Sequence, residues 1–155
     1  MPGFGRIDSV PVTGIREDPD LSDDAQASID RVAEAFFAAF DNRCGRRPVA
    51  EDLHRLFGDG ATVTRIEARV PQVFDVGGFV APRIQLLTDG SLLEFHEWEV
   101  EAETSIRGNI ASRCSIYEKE GLLRGVPYSG VGRKLFHLYR TDGPWLISSI
   151  LWEDD

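Results

Sequence analysis

From Leu92 onward the chain reads almost without interruption as β-strand, and this limits its folds more than any other feature. "LLEFHEWEVEAETSI" and "NIASRCSIYE" alternate in side-chain character over long runs and meet at Arg107-Gly108, where glycine supplies the positive φ of a tight hairpin. "YSGVGRKLFHLYRT" and "WLISSILWE" meet at Asp142-Gly143, a stronger signal of the same kind. Long strands in succession cannot bury their apolar faces on one another within a single layer; they need a second layer to cover one side.

The first half of the chain supplies that layer. In "SDDAQASIDRVAEAFFAAFDNR", Asp23 or Asp24 caps a helix, and Ile29, Val32, Ala33, Phe36, Phe37 and Phe40 fall on one face of it. "RRPVAEDLHRLFGDG" predicts a short second helix with Pro48 at its first position, ended by Gly58 and Gly60. "ATVTRIEARVPQVFDV" is β-branched and loosely alternating, so it predicts a first strand and a short second one. "APRIQLLTDGSL" predicts a third helix that starts at Pro82 and stops at Gly90. The expected fold is α+β, with helices on one face of an antiparallel sheet. Residues 23–155 form one domain, and residues 1–22, rich in Pro and Gly without a period, form an N-terminal arm.

Composition narrows the function classes. The chain has 155 residues and a net charge of −9, which repels phosphate backbones and anionic lipid, so neither nucleic acid nor a membrane surface is an expected partner. No apolar run is long enough to span a bilayer. "MPGFGRIDSV" lacks the apolar core of a secretory signal, so a cytoplasmic protein is expected. Cys44 and Cys114 show no metal or redox spacing and read as reduced packing residues. No metal or cofactor is expected.

Within the strands, Phe95, Glu97, Glu99, Glu101 and Glu103 share one face; Glu94, His96, Trp98, Val100, Ala102, Thr104 and Ile106 share the other. Four carboxylates in a row cannot all be buried as unpaired anions, so the glutamate face is expected to be wet or to meet a basic neighbour. With a two-residue turn at Arg107-Gly108, the other face pairs Trp98 with Tyr117, Val100 with Ser115, Ala102 with Arg113 and Thr104 with Ala111. Aromatic area with a few polar groups is the composition of a pocket wall. The Arg113 guanidinium keeps its charge, so it needs either an internal partner (Glu94, Asp75 or Asp89) or an anionic ligand. A bulge at Gly108 would instead turn it toward the glutamates. His137 beside Ser148, and His96 beside Glu94, are the candidate general bases. His54 is expected to be solvated, and so is the "WEDD" tail. The second hairpin is apolar on both faces, which predicts a homodimer through the sheet.

The pieces "AFFAAFD", "DLHRLFGDGATVTRI", "APRIQLLTDGSL", "RGNIASRCSIYE" and "GRKLFHLYRTDGPWLISSILWED" together resemble the nuclear transport factor 2-like superfamily, in its bacterial SnoaL-like and DUF4440-like branch, over residues 24–155. The resemblance implies a cone, with a strongly curved sheet wrapped around three helices, a pocket at the open end, and dimers through the sheet. Trp98, Arg113 and Tyr117 of the sheet and Phe36 and Phe40 of the first helix are then the expected ligand-binding residues. The superfamily includes ketosteroid isomerase, scytalone dehydratase, polyketide cyclases, epoxide hydrolases and non-catalytic modules, so fold alone does not select a function. Phe36, Phe37 and Phe40 stand where such enzymes present a Tyr, which argues against an isomerase. The expected function is binding of a small, largely apolar molecule. The alternatives are proton-transfer catalysis by His96 or His137, with Arg113 and Tyr117 stabilising an oxyanion, and a ligand-free assembly module.

Overall fold

The computed structural model describes residues 19–155, with side chains from residue 23 onward. Helix α1 (Pro19–Ala38) and the short α2 (Ala50–His54) precede β1 (Phe57–Glu67) and β2 (Val70–Asp75). Helix α3 (Val76–Thr88) follows, then β3 (Leu92–Arg107), β4 (Ile110–Leu123), β5 (Val126–Tyr139) and β6 (Leu146–Asp154). The N-terminal arm lies outside the described residues except at positions 19–22, which already belong to α1. Asp23 and Asp24 therefore sit inside the helix and do not cap it.

The six strands form one sheet in the order β2-β1-β6-β5-β4-β3. The α+β class is as expected, but the sheet is mixed: β1 and β6 run parallel, and every other neighbouring pair is antiparallel. Helix α3 touches β1 and β2 at one end of this order and β3 at the other. A flat sheet of six strands could not present both ends to one short helix, so the sheet curls around it. Asp75 caps α3, its carboxylate accepting from Gly78 N at 2.7 Å, so the helix starts at Val76 and Pro82 lies inside it. Likewise Gly58 and Gly60, read as helix stops, are part of β1.

The core is aromatic. Phe36 of α1 is fully buried, with ring centroids 5.2 Å from both Phe40 and Phe136 and 5.5 Å from Phe37. One polar residue fixes how the layers join. The Asn42 amide donates to Leu87 O at 3.0 Å and Leu92 O at 2.7 Å, and its carbonyl accepts from Phe95 N at 2.7 Å. All its polar atoms are used, so a buried amide here ties the chain after α1 to the end of α3 and the start of β3 at little desolvation cost. Cys44 and Cys114, expected to pack inside, are both exposed.

The position of the hairpin turn and two register shifts, between Leu93 and His96 and between Glu99 and Glu101, set the faces of β3. The hairpin turn is Gly108-Asn109, with Arg107 paired to Ile110 and Thr104 to Arg113. A register shift then falls between Glu99 and Glu101, so Glu99 faces Tyr117, Glu97 faces Lys119, and Trp98 pairs with Glu118. One extra residue in a strand moves everything beyond it to the opposite face. The row of glutamates is split by this bulge. Glu101 and Glu103 are exposed, whereas the Glu97 side chain is only 11% exposed and the Glu99 side chain is turned toward Arg113.

Candidate functional site

The inward faces of β3–β6 and helix α3 enclose a partly open cavity of about 250 Å³. Phe40, Phe79, Leu86, Leu92 and Phe95 supply much of its apolar wall, and Trp152 of β6 stands among them. Strand alternation delivers the polar groups. Glu97 and Lys119 are cross-strand partners, Lys134 pairs with Trp152, and Asp154 pairs with Gly132, which in turn pairs with Tyr117. At Gly132 a side chain has no room: a Cβ would lie 2.7 Å from the Tyr117 hydroxyl and 2.9 Å from Asp154 Oδ1. That absence lets the Tyr117 hydroxyl donate to Asp154 across the intervening strand.

Four cations and two carboxylates line the cavity: Arg65, Arg83, Lys119 and Lys134 against Glu97 and Asp154. Asp154 is fully engaged, accepting from Tyr117 and, at 3.1 Å, from Lys119, with Arg65 3.9 Å away. Burial works against the Asp154 charge, but these partners outweigh it and hold its carboxyl below the usual range. Burial likewise opposes the charge of Lys119, and the adjacent Asp154 more than offsets it, raising the ammonium pKa. For Tyr117, burial and the neighbouring Asp154 both push the phenol well above its ordinary value, so it stays a donor.

Lys134 is the exception. It is 5% exposed, and its ammonium lies 3.8 Å from the Tyr117 ring centroid and 4.0 Å from Glu97 Oε2, too far for a direct hydrogen bond. Burial pulls its pKa from 10.5 down to about 8, and the attraction of Glu97 only partly resists. Glu97 Oε2 itself is buried without a hydrogen-bond donor. Arg83 is similar: its guanidinium stacks 4.2 Å above Phe79 and 4.7 Å from the Trp152 centroid, and burial lowers its pKa to about 10.

Of the residues expected to bind ligand, Tyr117 and Phe40 line this cavity. Phe36 lies behind them in the core. Trp98 stands on the far side of the sheet, stacked on His96 at 4.5 Å, because the β3 bulge turned it away from Tyr117. Arg113 is 7% exposed and does not line the cavity. It donates to Glu99 at 2.5 and 3.0 Å, to Asp30 at 2.6 Å and to Thr104 at 2.8 Å, so it is paired internally, with carboxylates other than Glu94, Asp75 and Asp89. Neither candidate base reaches the cavity. His96 meets Glu120 at 3.0 Å, and on the outer face the His137 ring meets Ser149 at 3.2 Å while Ser148 Oγ donates to the His137 carbonyl at 3.3 Å. The tail is not simply solvated, since Asp154 belongs to the cavity. Lys134, Lys119, Arg65, Arg83, Glu97, Trp152 and Asp154 were not selected from sequence. One signal was available: Lys134 shares its strand phase with Phe136 and Leu138, and a lone cation in an apolar phase marks a polar group aimed inward.

No protein-family model matches the chain, and neither does any curated sequence. Solved structures do. The Kfla4162 protein from Kribbella flavida is similar at a TM-score of 0.72 and 15% identity, over 86% of this chain and 93% of its own. A nuclear transport factor 2-like superfamily protein from Salmonella enterica is similar at a TM-score of 0.69 and 11% identity, over 86% and 92%. A hexachlorocyclohexane dehydrochlorinase, LinA type 2, is similar at a TM-score of 0.68 and 15% identity, over 88% and 89%. At these identities the likeness concerns backbone architecture and not chemistry. The mixed six-stranded sheet and its helices have the nuclear transport factor 2-like fold.

Proposed function

We propose that the protein binds a small, largely apolar molecule in the cavity between the curved sheet and α3. The observation that carries this is a hollow of about 250 Å³ with aromatic walls and a few convergent polar groups, left unfilled by the side chains around it. Ligand pockets generally run from about 300 to 1,000 Å³, so this one suits a compact metabolite. Native mass spectrometry of gently purified protein, with a fragment screen by NMR, tests the reading. Leu86→Trp should fill the hollow and abolish retention and fragment binding while the melting temperature holds. Unchanged fragment binding in Leu86→Trp would place the ligand elsewhere.

Catalysis by proton transfer is the second reading, and Lys134 favours it. An amine with a pKa of about 8 inside a cavity is free to accept a proton once the pH passes that value, and removal of a proton is what a dehydrohalogenation requires. On this reading the base is Lys134 and not His96 or His137.

The homodimer is proposed to form through the outer face of the sheet. Leu151, Leu135 and Cys114 stand in register across β6, β5 and β4 there, with exposed Ile116 and Val131 nearby. Light scattering at tens of micromolar should give twice the chain mass, and Leu151→Arg should halve it. A monomer in the parent protein would remove the proposal.

A further inference from the structure

The cavity carries an imbalance that defines its ligand more closely than shape does. The chain as a whole is strongly acidic, at −9, yet this aromatic hollow is lined by twice as many cations as carboxylates. The pairings locate the deficit. Asp154 serves Tyr117, Lys119 and, more distantly, Arg65, and Arg65 also meets Glu67 at 3.3 Å. That leaves Glu97 as the single lining carboxylate for both Arg83 and Lys134. Among the described residues, Arg83 forms no ion pair within 4 Å; its guanidinium donates to Phe79 O at 3.0 Å. Lys134 donates no hydrogen bond among them and meets Glu97 only at 4.0 Å.

These two under-paired cations stand beside the same indole. Arg83 lies 4.7 Å and Lys134 5.1 Å from the Trp152 ring centroid. A guanidinium and an ammonium in a low-dielectric hollow are held at a cost that a second anion would remove. Building on the binding reading above, we infer that the ligand is a small aromatic or alicyclic carboxylic acid, its carboxylate seated between Arg83 and Lys134 beside Trp152. Its ring then lies against Phe40, Phe79, Leu86 and Phe95. A phosphate ester fits less well. Phosphate sites draw on clusters of free backbone amides, commonly at a helix N-terminus, and the start of α3 is already occupied by the Asp75 carboxylate bonded to Gly78 N. One added negative charge matches the deficit, and a planar carboxylate matches the bidentate face of Arg83.

The site should also respond to pH in one direction. The charged and titratable groups that line the cavity with Lys134 are Glu97 of β3, Tyr117 and Lys119 of β4, Tyr128 of β5, Asp154 of β6, Arg83 of α3 and, beyond Asp154, Arg65 of β1. Tyr117 and Lys119 are both shifted upward, and Arg83 remains charged into the range of about 10. Between about pH 7 and about pH 9.5, Lys134 is therefore the group in this set that gives up its charge, and carboxylate affinity should fall with it.

Calorimetric titration with matched probes tests the inference: benzoate against benzyl alcohol, and 1-naphthoate against 1-naphthalenemethanol, on the full chain at about pH 7. The acids should bind at least about tenfold more tightly than the alcohols, and the gap should narrow at about pH 9.5. Lys134→Met should bring the acid-to-alcohol ratio close to one while alcohol binding persists. Arg83→Met is the second variant, should the first fail to fold, and should reduce the ratio in the same sense. Acids and alcohols binding equally would overturn the anion site and leave the cavity reading intact. Binding of neither would remove both. Inorganic phosphate or chloride binding as tightly as benzoate would also overturn the inference, since the ring would then contribute nothing.

Discussion

Arg113→Ala is expected to cost about 3 kcal/mol of folding stability, because truncation leaves the Glu99 carboxylate, only 21% exposed, without its ionic partner, while the more open Asp30 loses a bridge to β4. The guanidinium joins three elements: Asp30 on α1, Glu99 and Thr104 on β3, and its own position on β4. Ser115 adds a further donor to Glu99 Oε2 at 2.5 Å. A network with this many charge-assisted bonds is well satisfied when complete and costly when one member is removed. In a domain of this size the melting temperature should fall by roughly 6–12 °C. A double variant, Arg113→Met with Glu99→Leu, should recover most of the loss, since an apolar pair of similar volume removes both charges together. Urea denaturation checks both. A change below about 0.5 kcal/mol in Arg113→Ala, the range of ordinary surface substitutions, would show that Glu99 and Asp30 find water when the arginine is absent.

The largest pH effect should come from Lys134. In the unfolded chain its pKa is near the ordinary 10.5, and in the folded protein about 8. Between those values the unfolded state binds the extra proton, so stability rises with pH across the window from about 8 to about 10.5. Below it both states are protonated and the whole penalty of burying the ammonium is present. Above it both are neutral and the penalty is gone. The shift corresponds to about 3 kcal/mol. Lys134→Met removes the titrating group, so subtracting its denaturation profile from that of the parent should isolate a rise confined to this interval. The variant should also be the more stable protein at neutral pH, since the net electrostatic cost already includes the attraction of Glu97. A flat difference profile would mean that water reaches the ammonium in the folded state.

These two residues also show where reading the chain alone succeeds and stops. That Arg113 needs a partner follows from its permanent charge; which partner follows from the β3 bulge, and no local signal marks that bulge. The predicted two-residue turn was one position off, at Gly108-Asn109, and that shift by itself kept Arg113 and Thr104 on the same face. The register change between Glu99 and Glu101 then reversed Trp98, His96, Glu97 and Glu99 together. A period of two carries no memory across an inserted residue, so one undetected bulge inverts every assignment beyond it. The α3 boundary moved for a simpler reason. The Asp75 carboxylate, bonded to Gly78 N, sets where the helix begins, and Pro82 falls at its seventh residue, inside the helix.

What the sequence determined by itself is the number and kind of elements: helices from apolar residues recurring every three or four positions, and strands from long alternation punctuated by glycine. Together these require a two-layer α+β domain, because each element has one face that must be covered. Which charges meet depends on how the elements assemble in space. β6 lies parallel to β1, and Gly132 leaves room for Tyr117 to reach Asp154. The curl of the sheet brings Arg83 of α3 and Lys134 of β5 to one indole. Contacts between residues this far apart in the chain depend on register and curvature, which sum small local choices along every strand, so no single stretch of sequence encodes them.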